Sequence, residues 1–573
     1  MNKRKKIPYG IADFRTLIQS DCYYVDRTQF IKKLEECSNY LFFLRPRRFG
    51  KSLTISMLEY YYGLQFKDEF DSLFLNLYIG QKEHTTPNKN NYYVLRFDFT
   101  GINTSNLDDI MDGFNKKIQN ALSMFNSKYE LLDEMKYAEV MENTYPSDTL
   151  GDYLSEISER LENKIMVLID EYDHFTNEIL SFHFDTFSDI VSKNGFVRKF
   201  YETIKYFTGK GIIERFFATG VTPVTLDSMT SGFNIGTNIS THESFNEMAG
   251  FTTAEVEKMI YDLLPGIQKE AAEKILEDVA AWYNGSLFSP EANTRLYNPA
   301  MLLRFFSEIN QVTLKYPREM VDSNIVTDFS KIKKIVALEN YEANVEVIDT
   351  ILKTGYYPSN LTQIFTFERK FTVQDFITLL YYNGLLTIKG GRDFDLLFEI
   401  PNYVIKEVFW DFFANEMSEK NQIEPDIEDL KNAARAMGNS NDVQPVIRIV
   451  ESILQNLSNR DFMNFDEKYV KLLFIVYISL TKSFKIKSEQ EVNLNYPDLL
   501  FLNSQIYSPA FQHLFEIKYI KKGDASTLED VKTAAIKQVE RYKQLPEIKE
   551  ITNLKFWVII FTGSSCSVAL EVI

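Results

Sequence analysis

The apolar positions of the chain fall into two kinds of run. Short, mostly apolar stretches stand at Tyr40-Leu41-Phe42-Phe43-Leu44, Tyr93–Phe99, Ile165–Ile169 and Arg215–Gly220. Runs of this length and weak alternation predict strands buried on both faces of a parallel sheet. Between them lie helical patterns, Leu53–Leu64 and a longer one over roughly 105–163 that breaks at Tyr145-Pro146. The segment 228–241, rich in Gly, Asn, Ser and Thr, predicts a loop. From Thr252 the pattern turns helical: Thr252-Thr253-Ala254-Glu255 resembles a capping box, Pro265-Gly266 and Asn284-Gly285 punctuate, and Asn298-Pro299 opens a further helix. A helix into Leu380-Tyr381-Tyr382 is followed by strand-like runs at 385–388 and 396–400, with Gly390-Gly391 between them. Helix then hairpin predicts a winged-helix-like module; its hairpin is not notably basic, so packing is the expected role. Residues 415–445 are polar and hold Asn439-Ser440-Asn441, the expected linker. Helices at 446–457 and 469–481 lead into a second strand-rich region.

Composition narrows the class. At 573 residues the chain should hold several domains, and its apolar and aromatic content is that of a packed globular protein. No apolar run approaches the roughly 20 residues of a membrane span, and the basic start Met1–Lys6 lacks the apolar core of a secretory signal. A cytoplasmic protein without membrane contact is expected. Three scattered cysteines and five scattered histidines argue against a disulfide framework, a zinc site or a histidine metal centre. With a formal charge of −17, any nucleic-acid contact must be a local basic groove.

The first chemical candidate is Arg45-Pro46-Arg47-Arg48-Phe49-Gly50-Lys51-Ser52-Leu53, between a predicted strand and a predicted helix. A helix N-terminus there would present N–H groups to a phosphate. Lys51 would reach the β- and γ-phosphates of ATP and the Ser52 hydroxyl would ligate magnesium. Arg45 stands where the usual loop has its first glycine, and Arg45, Arg47 and Arg48 are available for guanidinium contacts in exchange. The alternative is a basic loop with an accidental Gly-Lys-Ser. Five apolar residues ending in Asp170-Glu171 answer it: Asp170 would hold the magnesium ion, Glu171 would polarise the attacking water, and Thr219 would sense the γ-phosphate from a neighbouring strand. The lead-in Tyr23–Thr28 is read as packing, and His174 as a loop residue.

The second candidate joins Asp498 to Glu516-Ile517-Lys518. In a hairpin centred on Tyr507, Asp498 falls opposite Glu516, and strand alternation sets Lys518 on the Glu516 side. Two carboxylates plus waters suit magnesium, with manganese an option, and the lysine would hold an attacking water. The following helix carries Gln538 and Tyr542 on one face, with Lys521, Lys522, Lys532, Lys537, Arg541 and Lys543 forming a phosphate-facing surface. An exposed hairpin with an ordinary Glu–Lys pair is the alternative.

Taken in order, these motifs resemble a known family. Tyr24–Thr28, Arg45–Ser52, Leu168–Asp173, Thr219–Thr222, Trp282–Gly285 and Tyr297-Asn298-Pro299 are similar to the AAA-ATPase-like proteins, in which an arginine-rich phosphate loop is normal. Pro497-Asp498, Glu516-Ile517-Lys518 and Gln538–Tyr542 look like the PD-(D/E)XK nuclease domain these proteins carry. The resemblance implies Glu489 as an upstream glutamate, with Glu491 the competitor, and Asn495-Tyr496-Pro497 departs from the usual Gly-Arg before the aspartate. It implies an α/β chain: a P-loop NTPase (AAA-like) domain over 1–250, a helical lid over 251–365, a winged-helix-like module over 366–435, and an α/β PD-(D/E)XK nuclease-like domain over 440–573. The expected activity is an ATPase joined to a metal-dependent nuclease acting on DNA, in defence or mobile-element maintenance, with a homo-oligomer an option. A nucleotide-dependent switch or scaffold that binds without cutting stays open.

Overall fold

A computed structural model describes residues 5–174, 190, 195–224, 233–321, 332–363, 365, 370–421, 425–456, 466–488, 497–504, 507–521 and 527–573. Two compact units form, one from Met1–Gln311, Asp322–Asn344 and Pro358–Asn402, the other from Val312–Val321, Val345–Tyr357 and Tyr403–Ile573.

The first unit is organised on strands β1 (Tyr40–Leu44), β2 (Tyr93–Asp98), β3 (Ile165–Asp170), β4 (Ile213–Gly220) and β5 (Thr237–Asn238). They form one parallel sheet in the order β2-β3-β4-β1-β5. All six residues of β3 are buried, as an unbroken apolar run in a covered sheet requires. One face is covered by helix α1 (Lys51–Tyr62), whose Ile55, Leu58 and Tyr61 share a core with Phe43, Leu168 and Phe217. On the other side Phe97 and Phe99 pack with Phe114 and Phe200, rings from the helices Leu107–Tyr129 and Phe196–Gly209. Strand β5 corrects the expected loop at 228–241. Its two residues are polar and exposed, so no apolar signal marks them, yet they pair in parallel with Leu41 and Phe42. The other part of that loop, 228–232, lies outside the described residues.

The helical region follows its signals closely. Thr252 and Glu255 close a reciprocal capping box on the helix Thr253–Leu263, and Asn298 caps Pro299–Glu308. A short strand β6 (Tyr357–Ser359), helix α2 (Val373–Tyr382) and the hairpin β7 (Thr387–Arg392) and β8 (Asp395–Glu399) complete the helix-and-hairpin module, with sheet order β6-β8-β7.

In the second unit, β9 (Phe484–Ser488), β10 (Leu499–Asn503), β11 (Gln512–Ile520), β12 (Leu554–Thr562) and β13 (Ser565–Glu571) form a mixed sheet in the order β13-β12-β11-β10-β9. β11 and β12 are parallel, the other pairs antiparallel. A helix α3 (Glu467–Ser479) precedes the sheet, and α4 (Leu528–Tyr542) makes the crossover that a parallel pair needs. The linker expected at 439–441 is not there. Helices Tyr403–Asn421 and Ile427–Ser440 occupy the polar stretch, and Asn441 is the left-handed C-cap of the second, at φ 54°. Leu430, Ala433, Ala434 and Met437 bury one narrow face, and the polar remainder hides that spacing. The units part near Tyr403, not near residue 440.

Candidate functional site

The C-terminal edge of the parallel sheet gathers the first set of residues. β1 ends at Leu44, and the chain turns through Arg48 at φ 67° and Gly50 at φ 93° before α1 begins at Lys51. Lys51 is buried, and its Nζ donates to the carbonyls of Arg45 (3.0 Å) and Pro46 (3.1 Å). Burial lowers its pKa, against the opposing pull of Glu171, Asp173 and Asp170. Arg45 corrects the guanidinium expectation. It points inward, with Nη1 on the carbonyls of Leu44 and Ser240 (both 2.8 Å) and Nη2 on that of Phe245 (2.7 Å). Its guanidinium also lies over the rings of Phe43 and Phe288. Burial drops its pKa to about 9. Arg45 therefore braces the loop from behind, while Arg47 and Arg48 stay half-buried at the front. Phe49 is buried edge-on against Phe288.

The Asp-Glu-Tyr-Asp run after β3 divides between two tasks. Asp170 accepts from Thr219 Oγ1 at 2.9 Å and from the Ser52 side chain, and has Arg96 3.8 Å away. Burial raises its pKa. Glu171 adopts φ 51° and meets His174 Nδ1 at 2.9 Å, so His174 is a partner of the site rather than a plain loop residue. Burial pushes Glu171 up, but the His174 hydrogen bond and the charges of Lys51, His174 and Arg47 more than offset it, holding the carboxyl at about 2. Tyr172 and Asp173 turn the other way. Asp173 accepts from the backbone N–H of Val221 (3.0 Å) and Thr222 (2.6 Å), and Tyr172 donates to the Thr222 carbonyl. A Cβ on Gly220 would sit 2.3 Å from the Tyr172 ring, so the glycine is what lets the two strand ends close on each other.

A cavity of about 390 Å³ opens beside these groups. Its lining includes the polar loop residues Arg48, Gly50, Lys51 and Ser52 with Glu171, and the apolar Ile11, Tyr24, Val25, Met248, Phe251 and Leu303. The lead-in around Tyr24 and Val25, read as packing, therefore also walls the cavity. Arg215, by contrast, donates to the Glu35 carbonyl near the start of β4, at the other end of the strand from Thr219.

The second set assembles in the other unit. Leu499 pairs with Phe515 and Leu500 with Leu514, so the register carried one step further sets Asp498 across from Glu516, as the spacing predicts. Asp498 and Glu516 are both buried. Asp498 Oδ2 accepts from the Ile517 N–H at 2.6 Å. Lys518 Nζ stands 2.7 Å from Glu516 Oε1, 3.8 Å from Asp498 Oδ2 and 3.4 Å from Glu467 Oε1. Lys471 Nζ bonds Asp498 Oδ1 and lies 2.9 Å from Glu467 Oε1. Burial and then the charge of Asp498 push Glu516 up to about 7. Burial works against both lysines, but the surrounding carboxylates raise them overall.

With this geometry in view, residues 8–230 match the family described as "Predicted AAA-ATPase", and residues 465–571 match the PD-(D/E)XK nuclease superfamily. The chain joins an AAA-ATPase-like domain to a PD-(D/E)XK nuclease superfamily domain. An uncharacterized protein in the vnfD 5′ region of Azotobacter chroococcum mcd 1 is 27% identical over 318 residues, covering 53% of this chain and 52% of that protein. The chain thus spans about half the length of that relative. The Walker-type ATPase PABY2304 of Pyrococcus abyssi is a structural neighbour with TM-score 0.35 and 12% identity, covering 71% of this chain and 99% of that one.

In the nuclease domain, the oxygen donors suit a hard divalent ion. Glu516 Oε2 is buried without a hydrogen-bond partner, which is the orphaned acceptor such an ion would satisfy. Among the described residues no group of three or more His, Cys, Asp or Glu is placed to hold a metal ion, so the donor set rests on the two facing carboxylates. Glu489 and Glu491 lie outside the described residues. Glu467 and Lys471 went unrecognised in the sequence. Their i, i+4 spacing reads as an ordinary helix pair, and only the packing of α3 on β11 brings them to Asp498. Gln538 is half-buried on α4 and makes no hydrogen bond to Asp498, Glu516 or Lys518. Of the basic surface, Lys532 and Lys543 are paired with Glu529 and Glu540, Lys537 and Arg541 are exposed, and Lys522 lies outside the described residues. In the AAA-ATPase-like domain, Ser52, Asp170 and Thr219 form one hydrogen-bonded cluster, of which Ser52 lines the cavity. Among the described residues no helix is long and apolar enough to cross a membrane.

Proposed function

We propose that the chain binds and hydrolyses ATP at the first site and cleaves DNA phosphodiesters with magnesium or manganese at the second, the nucleotide state governing the cut. At the first site Lys51 would leave the Arg45 and Pro46 carbonyls for the phosphates. Ser52 and Asp170 would hold the nucleotide's magnesium, and Glu171 would orient the attacking water. Glu171 is suited to that task because its neighbours keep it ionised across the working pH range. The base would lie against apolar lining residues of the cavity, among them Tyr24, Val25 and Phe251.

At the second site Asp498 and Glu516 would hold the divalent ion and Lys518 would bind and orient the attacking water. When bound, the ion supplies Lewis acidity and a more acidic water. The observation that carries the reading is the facing of Asp498 and Glu516 across β10 and β11 with Lys518 Nζ between them. A role in defence or mobile-element maintenance fits an ATPase joined to a DNA-cutting domain. The test is plasmid cleavage by the full chain with magnesium or manganese, with and without ATP. Cleavage that persists unchanged in Asp498→Asn and Lys518→Ala sinks the proposal.

A second reading, nucleotide-dependent binding of nucleic acid without cutting, is favoured by one observation. Lys471 already neutralises the carboxylate that metal would need. DNA retained but uncut under every divalent metal tried would support it.

A further inference from the structure

The metal reading assigns no task to Lys471. It lies on α3, it is buried, and its ammonium bonds Asp498 Oδ1. The other oxygen of Asp498 is taken by the Ile517 backbone N–H. Both acceptors of Asp498 are therefore engaged. Glu516 differs, because Lys518 faces its Oε1 and leaves Oε2 without a partner. A divalent ion held by these carboxylates would find an unpartnered oxygen on Glu516, while each oxygen of Asp498 already carries a donor.

The occupant also has somewhere to go. Glu467 Oε1, one helical turn before Lys471, stands 2.9 Å from the same Nζ. A small swing of the side chain would leave the ammonium on Glu467 and free Asp498 Oδ1. The reverse swing would close the site again. Charge favours this competition, since an ammonium and a dication held at one buried carboxylate repel strongly where water screens poorly.

We propose that Lys471 is a built-in competitor for the divalent cation, occupying Asp498 until metal displaces it onto Glu467 and so setting the metal affinity of the nuclease site. The inference rests on the reading of Asp498 and Glu516 as metal ligands. It assigns to Lys471 a regulatory part in that site, apart from the attacking-water role given to Lys518.

The experiment measures Mn²⁺ binding to the full chain, without nucleotide or DNA, by calorimetry and by the loss of the free-ion electron paramagnetic resonance signal. Asp498→Asn defines the portion of binding that belongs to this site. Lys471→Met should tighten the Asp498-dependent dissociation constant by about tenfold or more, because a buried competing charge is gone. Lys471→Arg, which keeps the charge, should bind no tighter than wild type. Lys471→Gln removes the charge but keeps a donor; it replaces the Met variant where circular dichroism shows that variant unfolded. Equal or weaker binding in the folded neutral variant overturns the role of Lys471 while leaving the metal site standing. Absence of any Asp498-dependent Mn²⁺ binding, in wild type and neutral variant alike, overturns the metal reading and this inference with it.

Discussion

Each unit sets lysine beside buried carboxylates, and the two units use the pair in opposite ways. In the AAA-ATPase-like domain Lys51 rests on backbone carbonyls and acts on Asp170 and Glu171 only through space. In the nuclease domain Lys471 and Lys518 are seated directly on Asp498 and Glu516. The carboxylates differ for causes of their own: against its burial, the His174 hydrogen bond and the charges of Lys51 and Arg47 hold Glu171 at about 2, while burial and the charge of Asp498 push Glu516 up to about 7 against the pull of Lys518. On the proposed function, the site for an anion keeps its cation loosely parked so that incoming phosphate can take it. A site meant for a cation balances its own charge until one arrives. Under that proposal the same residue types serve different ligands, and the resting place of the ammonium is the arrangement that differs between the two sites.

The largest effect should come from the nuclease side. Asp498→Asn leaves Glu516 without the carboxylate facing it, and metal-dependent cleavage should fall by about a thousandfold or more. A gel assay on supercoiled plasmid reads this directly. Glu171→Gln should slow ATP turnover by about 10²–10⁴-fold with nucleotide binding retained, since it removes a group needed for chemistry rather than for holding ATP. A fluorescent-nucleotide titration beside a phosphate-release assay separates the two. If Glu171→Gln abolished binding as well, the through-space picture of that site would be wrong.

These contrasts were only partly legible in the chain. The phosphate loop, the apolar run into Asp170-Glu171 and the register that faces Asp498 with Glu516 all follow from local spacing, because strand alternation and turn position fix them. Arg45 was not legible. Its neighbours in sequence are basic, and only the carbonyls of Ser240 and Phe245, about 200 residues on, turn it inward. Glu467 and Lys471 failed for the same reason, since their meaning comes from packing beside β11. Gln538 shows the converse, a residue marked by its motif that the fold leaves without a bond to the acidic pair. Local pattern reports which residues share a face; it does not report what that face meets.

Arg45 gives the next prediction. Its charge has backbone carbonyls and rings as partners, so Arg45→Met should strand those acceptors in the core and destabilise the first unit by about 3 kcal/mol. Arg47→Met, at the half-buried front of the loop, should change stability little and weaken ATP binding instead. Urea unfolding and nucleotide titration of both variants check the division. Equal losses of stability would erase the distinction between bracing and binding arginines.

The smallest effect tests the opposite shifts of the two glutamates. Glu516 has a folded pKa raised above its ordinary 4.5 to about 7. A raised acid favours the folded state in its protonated form, so its contribution is fully present below about pH 4.5 and is lost as pH rises through about 7. Glu171, lowered to about 2, contributes in the reverse sense; its share is present above pH 4.5 and is lost only as pH falls toward 2. Between pH 5 and pH 8 Glu171 does not titrate. In the second unit Glu516 shares that window with Glu407, raised by burial to about 7, and with His513 on β11, lowered by burial to about 4, whose contribution grows as pH rises. In chelator-treated protein, amides of β10–β12 should lose on the order of 1–2 kcal/mol more protection across that range in wild type than in Glu516→Gln, a difference in which His513 and Glu407 cancel, once intrinsic exchange is corrected. Amides of β3 and β4 should hold steady. Glu516→Gln should lack that share of the slope, because no carboxyl is left there to lose its proton. An unchanged slope in that variant would place the titrating group elsewhere and remove the electrostatic half of the comparison.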